Sequence, residues 1–260
     1  DDLRRREPAC PGIIGATRGN HGQSLAYAAR AYGVPCVLVV PRGNSPDKNR
    51  AMGAFEADLV EIGHDFQAAF EAMDGIATER GLHRVPSFAP LLVLGVATYA
   101  RELFAAADPL DAILVPIGLG SGICGTIAVR DGLGARTEVI GVVAENAPTY
   151  LRSFREKRPV STTTADTLAD GVATRVPDAD AVAIINRGAA DVIAVTEHEI
   201  LAAMRWYFSD THTIAEGAGA AALAALLKTR ERWRGRRVAV ILSGGNLDRE
   251  LYLRALATGS

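Results

Sequence analysis

Ala16-Thr17-Arg18-Gly19-Asn20-His21-Gly22-Gln23-Ser24 follows a short apolar run, Gly12-Ile13-Ile14-Gly15, and opens into an alanine-rich helical pattern, Leu25-Ala26-Tyr27-Ala28-Ala29-Arg30. A strand that ends in a tight turn at a helix N-terminus leaves backbone N–H groups pointing outward, and the helix dipole adds partial positive charge there, so an anion is favoured. Gly19 and Gly22 allow a sharp turn and close approach to a ligand. Between them stand an amide, Asn20, and an imidazole, His21, which a loop that only turns does not need.

Strand and helix signals alternate on either side of this stretch. Pro35-Cys36-Val37-Leu38-Val39-Val40-Pro41 and Ala112-Ile113-Leu114-Val115-Pro116-Ile117 are continuous apolar runs of the kind that form parallel strands buried on both faces. Shorter strands are expected at 58–62, 137–143 and 237–242. Helices are expected at Phe66–Glu79, Thr98–Ala107, Ile123–Asp131, Ala179–Arg187, Glu197–Phe208 and Glu216–Lys228, and Ser45 with Pro46 should start one more. Residues 81–92, with Pro86 and Pro90, read as a crossing, and 145–175 as irregular. The pattern gives two linked α/β units with open, mainly parallel twisted sheets and helices on both faces: 1–92, smaller, and 93–260, larger.

Two further glycine turns share the property of the first, following a strand and preceding a helix: Gly118-Leu119-Gly120-Ser121-Gly122 and Ser243-Gly244-Gly245-Asn246. In open α/β sheets ligands lie beyond the carboxyl ends of strands, so all three turns can line a cleft. The middle turn has a rival reading. Gly120, Gly122 and Gly125 spell G-x-G-x-x-G, and Glu145 stands where a dinucleotide fold places its ribose-binding acid, which would make an NAD-binding oxidoreductase. That reading leaves the Asn20–His21 turn and the Ser243 turn without a role.

Composition sets the bounds. The chain has 260 residues, 48% hydrophobic and 22% charged, with a net charge of -2, which argues against nucleic acid or an anionic membrane as partner. No apolar run in the sequence approaches the roughly 20 residues that cross a bilayer, and the N-terminus lacks a signal-peptide core. Cys10, Cys36 and Cys124 form neither a disulfide framework nor a zinc site and read as reduced thiols of a cytoplasmic protein.

The block Thr17-Arg18-Gly19-Asn20-His21-Gly22-Gln23-Ser24 resembles the asparagine loop of fold-type II pyridoxal-phosphate enzymes, in the threonine/serine dehydratase branch. Pro116 to Gly122, Leu168-Ala169-Asp170-Gly171-Val172-Ala173, Glu216-Gly217-Ala218-Gly219-Ala220 and Leu242-Ser243-Gly244-Gly245-Asn246 follow in the family's order, over nearly the whole chain. The resemblance implies a tryptophan synthase β-like fold with pyridoxal 5'-phosphate as cofactor. It places Asn20 on the cofactor's phenolic oxygen, and the phosphate on Gly118, Leu119, Gly120, Ser121 and Gly122. Ser243 would meet the pyridine nitrogen and Glu216 would lie near the ring, although a helix N-terminal acid favoured by the dipole explains Glu216 as well. The substrate carboxylate falls to Thr17, Gly19, Asn20 and His21. The implied reaction converts L-threonine or L-serine to a 2-oxo acid and ammonia, in a homodimer or homotetramer.

Three departures from the family pattern modify this reading. The lysine that carries the cofactor normally lies in a Ser-Phe-Lys-like motif upstream of the asparagine loop. Here the lysines are Lys48, Lys157 and Lys228, none in that context, and all three read as solvated cations. The expectation is therefore an N-terminally truncated dehydratase with no catalytic residue of its own, the alternative being a pseudoenzyme or interaction protein. Arg18 stands where serine racemases carry a proton-transferring serine, so racemisation is disfavoured. Glu145 matches one acid of a divalent-cation site, but Leu151 replaces its aspartate, so no metal is expected.

Overall fold

The period-2 alternation of side chains along a strand sorts this chain into two two-sided sheets. The computed structural model describes residues 2–107 and 109–257, and they divide into two compact units, Asp1–Ser87 and Phe88–Ser260. The first unit runs α1 (Asp2–Arg6), β1 (Ile13–Ala16), α2 (Asn20–Ala31), β2 (Cys36–Val40), α3 (Pro46–Gly53), β3 (Asp58–Glu61), α4 (Phe66–Arg80) and β4 (His83–Arg84). Its sheet has the order β3-β2-β1-β4, all parallel. Ile13, Cys36, Leu38 and Val40 face α2 and α3, where Leu25, Ala26, Ala29 and Met52 cover them. Ile14, Ala16, Val37 and Val39 face the other way, onto Ala69, Met73 and Ala77 of α4. Both faces of β1 and β2 are thus buried, as continuous apolar strands require.

The second unit contains α5 (Pro90–Ala107), β5 (Ala112–Pro116), α6 (Ser121–Gly132), β6 (Glu138–Ala144), α7 (Thr149–Glu156), α8 (Ala179–Gly188), β7 (Asp191–Val195), α9 (Glu197–Thr211), α10 (Gly217–Lys228), β8 (Val238–Val240) and α11 (Arg249–Ala257). Its parallel sheet has the order β7-β6-β5-β8. Ala112, Leu114, Ile140 and Val142 pack with α9 and α10, while Ile113, Val115, Val139 and Val143 pack against Phe104 of α5, Ile123 and Ile127 of α6, and Ile185 of α8.

Several elements differ from the sequence expectation. β7 and α7 fall where neither was expected, and the crossing at 81–92 contains the two-residue edge strand β4. α5 begins at Pro90, eight residues before Thr98, because proline is well tolerated in a first helical turn where its missing N–H costs nothing. At 18 residues with a mean hydropathy of 1.3, α5 is, among the described residues, the one helix long and apolar enough to cross a membrane. Arg101 and Glu102 interrupt it, so no uninterrupted apolar run reaches that length. Its inner side is bound to the unit: Ala97 packs against Gly125, where a Cβ would approach the Ala97 backbone to 3.1 Å, and Phe104 lies in the core.

In both sheets the strand order reverses at one strand. β1 lies between β2 and β4, and β5 between β6 and β8, so each sheet has its switch point beside these strands. The Thr17–Gly22 turn leaves the carboxyl end of β1 and the Gly118–Gly122 turn leaves that of β5. The Ser243 turn follows β8, across the second switch point from β5. These are the positions where open α/β sheets leave a crevice for a ligand.

Candidate cofactor site

In the first unit the turn is built around a threonine. Thr17 is buried, its N–H donates to Val39 O at 3.0 Å, and its hydroxyl oxygen accepts from the N–H groups of Gly19 and Gly22, both at 3.0 Å. A Cβ on Gly22 would collide with Thr17 Cγ2, and one on Gly15 with Leu25 Cδ1, so small residues let helix and strand close on each other. Gly19 is the N-cap, which places exposed Asn20 and half-buried His21 in the first turn of α2. The His21 Nε2 is buried with no hydrogen-bond partner among the described residues, and desolvation lowers the imidazole pKa from 6.5 to about 4, so the ring is neutral at pH 7.

In the second unit the carbonyls of the turn after β5 point back into the protein. Thr174 Oγ1 donates to Gly118 O at 3.1 Å, the Tyr150 hydroxyl to Leu119 O at 2.8 Å, and the Tyr99 hydroxyl to Gly122 O at 3.0 Å. In a trans peptide the C=O and the following N–H point in opposite directions. Holding these three carbonyls inward therefore aims the amides of Leu119, Gly120 and Ile123 outward. Among the described residues, no amide from Gly118 to Ile123 has a protein acceptor. Gly120 is the N-cap of α6 at φ 99°, a left-handed conformation that favours glycine, and a Cβ there would lie 2.9 Å from Ala181 Cβ.

The neighbouring segments interlock with this turn. The short 3-10 helix Asp170–Val172 presents Gly171, whose carbonyl oxygen a Cβ on Gly118 would strike. Gly171 in turn packs against Ala218, and a Cβ on it would lie 3.8 Å from Glu216 Oε1. Glu216 is buried at the N-cap of α10, yet its side chain makes no capping hydrogen bond, so capping does not explain the acid at this position. The Glu216 N–H donates to Gly244 O at 3.0 Å, which ties α10 to the Ser243 turn, and Ser243 itself is exposed with no hydrogen-bond partner among the described residues. Gly118 to Gly122, Glu216 and Ser243 therefore belong to one interlocked corner of the second unit. Thr17, Gly19, Asn20 and His21 form the turn of the first.

Residues 3–244 match the family model described as pyridoxal-phosphate dependent enzyme. The chain belongs to that family. Its relatives include the L-threonine ammonia-lyase of Thermotoga maritima, 31% identical over 249 residues, which covers 95% of this chain and 62% of that protein. An L-threo-3-hydroxyaspartate ammonia-lyase from a Pseudomonas species is 30% identical over 94% of this chain and 77% of its own length. Among solved structures, the processed form of threonine deaminase isoform 2 from Solanum lycopersicum superposes with a TM-score of 0.91 at 27% identity, covering 98% of this chain and 76% of that one. The chain thus spans less than two thirds of the length of the Thermotoga protein.

The family's cofactor is pyridoxal 5'-phosphate, and this sets aside the nicotinamide reading of Gly120, Gly122 and Gly125. The residues fit its phosphate: unpaired amides fan out at a helix N-terminus, over glycines where a side chain would collide. No lysine of the second unit stands at this corner. Lys157 lies over the Phe154 ring, 3.7 Å from its centroid. Lys228 ends α10, about 18 Å of helix from Glu216, and donates to Ala194 O at 2.9 Å and to Glu199 at 3.1 Å. Lys48 corrects the sequence reading. It is 7% exposed, on the face of α3 that also carries Met52, and is not a solvated cation.

Tyr150, Tyr99 and Thr174 are parts of the corner that sequence reasoning missed. Tyr150 and Thr174 lie in the stretch read as irregular, and no local pattern marks them. Glu145, the other residue singled out by its spacing, is exposed just past the end of β6. Among the described residues, no group of three His, Cys, Asp or Glu is placed to hold a metal ion.

Proposed function

We propose that the protein is a pyridoxal-phosphate-dependent lyase that eliminates the β-hydroxyl of a small 3-hydroxy amino acid, L-threonine or L-serine, giving a 2-oxo acid and ammonia. The observation that carries this reading is the set of outward amides from Gly118 to Ile123, held over inward-bonded carbonyls. These donors, with the Ser121 hydroxyl beside them, would hold the cofactor's phosphate at the N-terminus of α6. The names of the relatives in this family, an L-threonine ammonia-lyase among them, support the choice of reaction.

When bound, the cofactor supplies an electron sink that acidifies the substrate's α-carbon. The chain's own residues bind and orient. Ser243, exposed on its turn, would offer a neutral hydroxyl to the pyridine nitrogen. In the role the resemblance implies, Asn20 would bond the phenolic oxygen and Glu216 would lie near the ring. Thr17 has both acceptor positions of its hydroxyl filled by Gly19 and Gly22, so its own hydrogen is left to donate to a substrate carboxylate. Neutral His21 completes that turn without adding a charge.

The α-proton must go to a base. Lys157 and Lys228 are both engaged elsewhere in the second unit, and Lys48, on α3 of the first, lies outside the motif that carries the cofactor in the family the sequence resembles, so we expect the 260 residues alone to bind the cofactor without turnover. The same absence favours a second reading, a cofactor-binding protein without catalysis. Absorption spectra with added pyridoxal phosphate, borohydride reduction and peptide mapping decide between them, on this chain and on one extended upstream. A lysine trapped only in the extended chain supports the lyase, and no trapping in either supports the non-catalytic protein. Trapping on Lys48, Lys157 or Lys228 would overturn the expectation that this chain lacks the base.

A further inference from the structure

The proposed phosphate site depends on a peptide plane that glycine alone would not hold. The Leu119–Gly120 peptide precedes a residue at φ 99°, and glycine tolerates both orientations of such a plane at little cost. In one orientation the Gly120 N–H points out of the protein. In the flipped one, a carbonyl oxygen would face the anion.

The side chain that fixes the orientation is Tyr150. It is 2% exposed, and its hydroxyl donates to Leu119 O at 2.8 Å while accepting the Asp178 N–H at 3.1 Å. A Cβ on Gly120 would lie 3.6 Å from this oxygen, so the hydroxyl sits directly behind the turn. Asp178 is the N-cap of α8, with its carboxylate accepting from Ala181 N at 3.0 Å, which anchors the far end of the chain of bonds to a helix. Burial pushes the phenol above its ordinary pKa, so it stays a donor throughout the working pH range.

We propose that Tyr150 is a positioning residue for cofactor binding: its hydroxyl locks the Leu119–Gly120 peptide with the amide outward and thereby sets the affinity for the phosphate group. This rests on the reading of the turn after β5 as the cofactor's phosphate cradle. A group that only stabilised the fold would affect all ligands alike. A group that aims one amide affects the phosphate alone.

The test compares pyridoxal phosphate with pyridoxal, which lacks the phosphate, by equilibrium dialysis on the chain and its variants. Tyr150→Phe should weaken pyridoxal phosphate about tenfold, the worth of one well-aimed hydrogen bond to an anion, and leave pyridoxal unchanged. The Gly120 amide resonance, which should shift when inorganic phosphate is added to the wild type, should shift much less in the variant. Tyr207→Phe, which removes a buried hydroxyl that has no partner among the described residues, should match the wild type. If Tyr150→Phe does not fold, Thr174→Val removes the equivalent donor to Gly118 O, and the same selective loss is expected. An unchanged preference for the phosphorylated ligand, or an equal loss of both, overturns the role of Tyr150. A wild type that binds both ligands alike overturns the cradle and this inference together.

Discussion

The Thr17 hydroxyl oxygen accepts the Gly22 N–H at 3.0 Å and so ties the end of β1 to the first turn of α2. It also accepts the Gly19 N–H at the same distance. Two amides at a helix N-terminus, which a side chain or solvent must otherwise satisfy, are thus held by one buried oxygen. Thr17→Val keeps the shape and removes the acceptor, so it should cost about 3 kcal/mol, from two buried donors left unpaired. Thr17→Ser keeps the oxygen and loses one methyl, for about 1 kcal/mol. Urea denaturation of both variants measures the difference, and equal stabilities would show that the oxygen is not what holds the turn.

His21 carries a pH prediction. Its folded pKa, about 4, lies below the ordinary 6.5 because burial penalises the charged ring. Above pH 6.5 both folded and unfolded chains hold a neutral imidazole, and stability from this group is constant. Between 6.5 and 4 the unfolded chain takes up a proton that the folded chain refuses, so stability falls as pH falls. Discounted for a half-buried side chain, the loss is about 2 kcal/mol at pH 4. His21→Gln should show a correspondingly shallower decline in urea stability from pH 7 to pH 4. Parallel curves for wild type and variant would mean that the ring is free to protonate in place.

The legibility of the sequence follows the physics of each element. β1, β2 and β5 were readable because a parallel strand covered on both faces must be a continuous apolar run, and Cys36–Val40 and Ala112–Pro116 are fully buried. β7 was not: Asp191 to Val195 is only partly buried and begins on an acid, so it resembles a loop until β6 supplies its hydrogen bonds. α7 hides behind Pro148, which reads as a breaker but serves as its N-cap. The glycine turns were readable as turns because their residues are contiguous. Their braces were not, since Tyr150 lies 31 residues from Leu119, and Thr174 lies 56 from Gly118. Lys48 was misread because a lysine's burial is decided by what packs around α3, which its neighbours in sequence do not reveal.

The three thiols should differ in reactivity. Burial raises Cys36 to about 11, and burial with the Asp178 charge raises Cys124 to about 12, so neither forms thiolate at neutral pH. Cys10 is only partly covered. Iodoacetamide at pH 7.5 should label Cys10 alone in the native protein and all three in urea, read by mass spectrometry. Native labelling of Cys124 at the rate of Cys10 would show that α6 opens away from the sheet.

Gly118 tests the cradle from its backbone. A Cβ there would run into the carbonyl oxygen of Gly171, a backbone atom that cannot swing aside as a side chain could. To admit Gly118→Ala, the Asp170–Val172 turn must move away, and its neighbour Thr174 would lose its bond to Gly118 O. The substitution should therefore cost roughly 2–3 kcal/mol of stability and weaken inorganic phosphate binding severalfold. Gly134→Ala is the comparison: φ there is +63° and none of the described residues lies within 4 Å of the new methyl, so it should cost about 1 kcal/mol of backbone strain and leave phosphate binding intact. Calorimetric titration with phosphate separates the two cases. Gly118→Ala with unaltered phosphate affinity would remove this turn from the anion site.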